Sequence, residues 1–136
     1  MIDVNGTLSH RGSVIPGAVD RVRRIATELE VELLTADTFG TARDLGRALG
    51  VTVVVVSTGD EKVAHVLALG AESTVAIGNG LNDAPMLRVA RLGIAVIGPE
   101  GASSAAIAAA DIVCGSIADA LDLLLDTRLL VATLRT

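Results

Sequence analysis

Short apolar runs alternate with helix-patterned segments along the whole chain, and few architectures other than a parallel sheet covered by helices absorb that pattern. Met1-Ile2, Val31 to Ala36, Val51 to Ser57, Ser73 to Ile77, Leu92 to Ile97 and Ile112-Val113 read as strands. Between them lie segments of helical period. The first opens at Pro16-Gly17 and runs to about Thr27, with Val19, Val22, Ile25, Ala26 and Leu29 on one stripe. The next is capped by Thr38 or Thr41 and stops at Leu49, before Gly50. Asp60 caps Glu61 to Leu69, which Gly70 closes. Ala84 to Val89 follows Asp83 as its cap, with Pro85 tolerated in the first turn. Ala102 to Ala110, Ile117 to Leu125 (capped by Ser116) and Thr127 to Leu134 complete the series. Val51 to Ser57 is largely β-branched and apolar, the pattern of a strand covered on both faces. Strands joined through helices by short loops, with right-handed crossovers, predict one α/β domain over residues 1–136: a three-layer α/β/α, doubly wound, mostly parallel sheet.

Composition narrows the class. Half the residues are hydrophobic (51%), yet Phe39 is the only aromatic, so the core is built from Val, Leu, Ile and Ala. A net charge of −5 without a basic run or stacking residues argues against nucleic-acid binding. Apolar stretches such as Val53 to Val56 are too short to span a membrane. Asp3 interrupts the amino terminus before any secretory apolar stretch, so no signal peptide is expected. Cys114, the single cysteine, excludes an internal disulfide; it is expected to be buried, in a protein of the reducing cytoplasm.

In a doubly wound sheet the carboxyl ends of the strands form the working edge. Asp3, Asn5 and Thr7 follow the first strand; Thr35 and Asp37 follow the second. Lys62, the only lysine beside ten arginines, lies on the helix after the third. Asn79, Asn82 and Asp83 follow the fourth, within Val75-Ala76-Ile77-Gly78-Asn79-Gly80-Leu81-Asn82-Asp83-Ala84-Pro85-Met86-Leu87. If the central strands are neighbours, a carboxylate, a hydroxyl, an ammonium and a second acidic cluster converge. That is a set suited to phosphoryl transfer: a nucleophilic or metal-binding Asp, oxygen ligands for Mg²⁺, and a cation and hydroxyl for phosphate oxygens.

Asp3-Val4-Asn5-Gly6-Thr7-Leu8, Leu34-Thr35-Ala36-Asp37, Lys62 and Gly78 to Leu87 resemble the four ordered motifs of the haloacid dehalogenase (HAD) superfamily. The nearest likeness is to soluble relatives of the phosphorylation domain of P-type ATPases. Leu92 to Val96 and Ala109-Ala110-Asp111-Ile112-Val113 are similar to the segment after the fourth motif in those pumps. The resemblance implies that Asp3 attacks phosphorus and becomes a phosphoaspartate, that Thr35 and Lys62 hold the phosphoryl group, and that Gly6 and Thr7 offer backbone N–H groups to it. It implies Mg²⁺ held by Asp3, the Asn5 carbonyl and Asp83, with Asn79 and Asn82 nearby.

Two departures follow. The family's phosphatases usually carry an acid/base Asp where Asn5 stands, and an amide cannot shuttle a proton; hydrolysis of the phosphoenzyme is expected to be slow. Asn79 stands where the family usually has a metal-binding Asp, so metal affinity is expected to be weak. Leu8 to Ile15 and Ser57 to Asp60 are too short for a cap domain, and the first strand is short before Asp3. An open site suits a phosphorylated substrate that is a macromolecule, or a site walled by a second copy, for which Leu121 to Leu134 offers an apolar face. Gly78-Asn79-Gly80 does not suit a dinucleotide, because Asp83 occupies the third small position and would repel a pyrophosphate. A receiver domain would place its lysine last, whereas Lys62 precedes Asp83. The expected function is a Mg²⁺-dependent phosphohydrolase; the alternative is a degenerate, non-catalytic binding or regulatory module.

Overall fold

The structure is a computed structural model that describes residues 1–37 and 40–136; Thr38, one of the two cap residues expected from sequence, lies outside the described residues. The chain runs β1 (Ile2–Asp3), β2 (Ser9–His10), β3 (Ser13–Val14), α1 (Ala18–Ile25), β4 (Glu32–Thr35), α2 (Ala42–Leu49), β5 (Thr52–Val55), α3 (Gly59–Leu69), β6 (Val75–Gly78), α4 (Ala84–Val89), β7 (Leu92–Val96), α5 (Ser104–Ala109), β8 (Ile112–Cys114), α6 (Ile117–Leu125) and α7 (Thr127–Leu134). Single 3₁₀ turns at Ala71–Ser73 and Leu81–Asp83 flank β6. Six strands form a parallel sheet in the order β5-β4-β1-β6-β7-β8. The winding reverses beside β1, which is therefore central despite its two residues.

The period of two along the strands divides the core. Leu33, Ile77 and Ile94 face one side, where they meet Val22 and Ile25 of α1 and Ile117 and Leu121 of α6. Their chain neighbours Leu34, Ala76 and Ala95 face the other, against Val66 of α3 and Met86 and Leu87 of α4. The second layer lies close: a Cβ on Gly93 would come within 2.3 Å of the Leu87 carbonyl oxygen. Cys114 is buried at the end of β8, as expected.

Local chemistry explains where the elements depart from the sequence reading. β5 is an edge strand, and Val55 is exposed, so its apolar run is not covered on both faces. Thr58 rather than Asp60 caps α3: its hydroxyl accepts from Glu61 N, and the Glu61 carboxylate returns to the Thr58 amide in a capping box. Ser73 belongs to a 3₁₀ turn instead of β6, and α5 begins at Ser104 behind the cap Ser103. Asp83 precedes α4 but caps nothing in it, because its side chain folds back over β6. A two-stranded antiparallel hairpin, β2–β3, occupies the span between Asp3 and α1, where no strand was expected. No described helix is long and apolar enough to cross a membrane.

Candidate active site

β1 ends at Asp3 between Leu34 of β4 and the Ile77–Gly78 end of β6. The chain then turns tightly: the Val4 carbonyl accepts from Leu8 N (3.0 Å) and Ser9 N (2.8 Å), with Gly6 at φ 82°. That turn carries Thr7 back beneath Asp3, where it is fully buried, and its Oγ1 donates to Asp3 Oδ2 at 3.0 Å. The same hydroxyl lies 3.1 Å from Asn79 Oδ1.

Lys62 sits in the first turn of α3, whose start is held by the Thr58–Glu61 box. The residue is 1% exposed, and Nζ donates to Asp3 Oδ1 at 2.7 Å and to Asp83 Oδ1 at 2.5 Å. Asp83 Oδ2 accepts from the backbone amides of Asn79 (3.0 Å) and Gly80 (2.8 Å). This fold-back accounts for Gly78, and the Asn82 side chain crowds Gly80 beside it. A Cβ on Gly78 would lie 2.7 Å from Asp83 Oδ2, and one on Gly80 would lie 2.5 Å from Asn82 Oδ1.

The cluster therefore holds two carboxylates about one ammonium, all buried, with one negative charge uncompensated. Burial, followed by the charge of Asp83, pushes the Asp3 carboxyl up to about 6, against the pull of Lys62 and Thr7. Lys62 loses some basicity to burial, but the two carboxylates more than restore it and hold it above its ordinary value.

Thr35 closes the β4 side. Its Oγ1 accepts from Asp37 N at 2.9 Å and from Asn5 Nδ2 at 3.4 Å, while Asp37 Oδ1 accepts from Ala42 N at the start of α2. Asp3, Thr7, Lys62, Asn79 and Asp83 thus form one hydrogen-bonded cluster, and Asn5 and Thr35 form a pair beside it. Asn82 is exposed at the rim. The amides expected to meet a phosphate already have partners: Gly6 N donates to Ser9 O at 2.8 Å and Thr7 N to Val4 O at 3.3 Å.

Two pairs escaped the sequence reading. His65 Nε2 lies 2.5 Å from Glu32 Oε2, joining α3 to β4, and His10 Nδ1 lies 3.1 Å from Glu100 Oε1, joining β2 to the loop after β7. Both histidines are half-buried. No spacing signals pairs separated by 33 and 90 residues.

Residues 57–120 match the model of the haloacid dehalogenase-like hydrolases. An uncharacterized protein of Methanocaldococcus jannaschii is 57% identical over 61 residues, which are 45% of this chain and 66% of that one. Copper-transporting ATPase 1 of Mus musculus is 39% identical over 88 residues, covering 62% of this chain but 6% of the pump. The chain thus spans about two thirds of the first relative and a small fraction of the second. Among solved structures, the Moraxella catarrhalis 3-deoxy-D-manno-octulosonate 8-phosphate phosphatase superposes with a TM-score of 0.74 at 19% identity, over 98% of this chain and 91% of that one. With its ordered motifs on this sheet and without an inserted cap among the described residues, the chain has the haloacid dehalogenase-like fold, and its residues 57–120 are similar to the haloacid dehalogenase-like hydrolases.

Proposed function

We propose that this protein is a slow, Mg²⁺-dependent phosphohydrolase that works through an aspartyl phosphate on Asp3. The observation that carries the reading is the buried Asp3–Lys62–Asp83 cluster at the carboxyl edge of the sheet, where the winding reverses. An Asp3 oxygen attacks phosphorus, the P–O bond to the leaving group breaks, and the departing alkoxide takes its proton from solvent. Lys62 and Thr35 receive the phosphoryl oxygens. A water molecule then attacks phosphorus, the P–O bond to Asp3 breaks, Asp3 leaves as carboxylate, and the water's proton passes to solvent or the departing phosphate. Asn5 cannot accept that water's proton, and the missing acid–base assistance is worth about 10²–10⁴-fold.

The donor chemistry suits Mg²⁺. The carboxylates of Asp3 and Asp83 and the Asn5 carbonyl are hard oxygens; among the described residues no three His, Cys, Asp or Glu side chains gather as a metal-binding group, so the Asn5 carbonyl and the phosphoryl oxygens would complete the set. These would hold the ion, with Asn82 reaching it from the rim. Bound there, it would neutralise charge on the phosphoryl oxygens. The substrate is a phosphorylated molecule of unassigned identity, and the setting a reducing cytoplasm that suits one buried thiol. Assembly of copies through the exposed Leu129, Val131 and Leu134 of α7 is part of the same proposal.

Turnover of an aryl phosphate with Mg²⁺, absent with EDTA and in Asp3→Asn, is the expected result; turnover unchanged by Asp3→Asn overturns it. A second reading, a non-catalytic module, draws support from the engaged amides of Gly6 and Thr7. Binding of Mg²⁺ with beryllofluoride, without phosphoenzyme or turnover, would favour it.

A further inference from the structure

Asn79 is the residue that most weakens the site as a metal centre, yet every polar atom it has is engaged. Its N donates to Asp83 Oδ2 (3.0 Å), and its O accepts from Ser103 N (2.8 Å). Its Oδ1 faces Thr7 Oγ1 (3.1 Å), and its Nδ2 donates to Gly101 O (3.0 Å). The last contact fixes the chemistry. A backbone carbonyl only accepts, so the atom facing Gly101 O must donate. A carboxylate there would set an anionic oxygen against the carbonyl. An amide satisfies both ends, and an aspartate cannot.

The loop thus held, residues 97–103, is pressed on the segment that carries Thr7. A Cβ on Gly98 would come 2.8 Å from Gly6 O, and one on Gly6 would come 2.9 Å from Glu100 Oε2. The His10–Glu100 pair at 3.1 Å ties the same loop to the same segment from outside. Thr7 has one proton for two acceptors, Asp3 Oδ2 and Asn79 Oδ1. The charged carboxylate outcompetes a neutral amide, whereas a second carboxylate at position 79 would compete on equal terms.

We infer that Asn79 is a positioning residue rather than a weakened metal ligand: its amide clamps the 97–103 loop to the Asn5–Thr7 turn and leaves the Thr7 proton to Asp3. The catalytic consequence rests on Asp3 being the nucleophile; the clamp itself does not.

Hydrogen exchange on the metal-free protein tests the clamp. In Asn79→Asp the Ser103 amide and its loop neighbours should exchange about tenfold faster, as expected for the loss of one hydrogen bond. The amides of β7 should be unchanged. Glu100→Gln keeps an acceptor for His10 and should retain wild-type loop protection, whereas Glu100→Ala should lose it. With an aryl phosphate and Mg²⁺, kcat of Asn79→Asp should fall about tenfold with KM within about twofold, because the clamp acts on Asp3 and not on substrate binding. Unchanged loop exchange in Asn79→Asp, or a raised KM at unchanged kcat, overturns the inference. Should Asn79→Asp not fold, equal loop exchange in Glu100→Gln and Glu100→Ala overturns it. A wild type without turnover would overturn the phosphohydrolase reading and leave the exchange comparison intact.

Discussion

At the scale of single residues, the site is set by how few charges share one burial. Lys62 answers two carboxylates, and removing it leaves both buried and unpaired. Lys62→Met is expected to cost about 3–5 kcal/mol of unfolding free energy in urea titrations. Asp3→Asn in that background should recover part of the loss, because it removes one of the two stranded charges. Asn5 lies beside Thr35 with its amide donating to it. Under the proposed mechanism an acid at this position would restore a proton acceptor next to the phosphoryl group, so Asn5→Asp is expected to speed dephosphorylation by about 10²-fold in single-turnover assays. No gain would mean that hydrolysis is limited elsewhere in the site.

At the scale of elements, position is decided by close approaches. α4 rests on β7 so tightly that Gly93 admits no side chain, because its Cβ would meet rigid backbone at Leu87. Gly93→Ala is expected to lower stability by about 1–3 kcal/mol in thermal or urea unfolding. The same change at Gly101, where nothing stands within 4 Å, should act only through its φ of 78°. The elements were largely legible in the sequence because several helices start or stop on an identifiable device. Gly50 closes α2 at φ 69°, Gly70 closes α3, and Ser116 caps α6. The misreadings share a cause. Thr58 and Asp60 both offer a cap two residues apart, and the reciprocal bond from Glu61 selects the first. The β2–β3 hairpin has two residues per strand, too few for a pattern of period two to show.

At the scale of the whole molecule, the buried cluster links stability to pH. The Asp3 carboxyl lies near 6 in the folded protein against 3.8 ordinarily, so the folded state holds a proton that the unfolded chain releases. Its contribution is therefore fully present below about pH 4 and is lost as pH rises through about 6. Metal-free protein should become less stable across that window, and Asp3→Asn should flatten the slope, as read by urea unfolding at successive pH values. A slope unchanged in Asp3→Asn would assign the dependence to other groups. Under the proposed mechanism turnover has the opposite sense: it should rise through about pH 6 as Asp3 ionises.

What the sequence determined by itself was the inventory and the order. The alternation of apolar runs and helical stripes dictates a parallel sheet, and Asp3, Thr35, Lys62 and Asp83 fall at ends of elements that such a sheet gathers on one edge. These are consequences of periodicity and of local caps, which act over a few residues. Only the tertiary structure decided the partnerships. One ammonium serves two carboxylates, Asp83 turns from a helix cap into the centre of a fold-back, and Asn79 meets Gly101 while His10 meets Glu100. Those contacts join residues up to 90 positions apart, and nothing in the local chain specifies them. The bonds of Lys62 arise where packing of the two apolar faces leaves polar groups without water, so that each must find its partner inside the protein, whereas the His10–Glu100 pair forms at the surface.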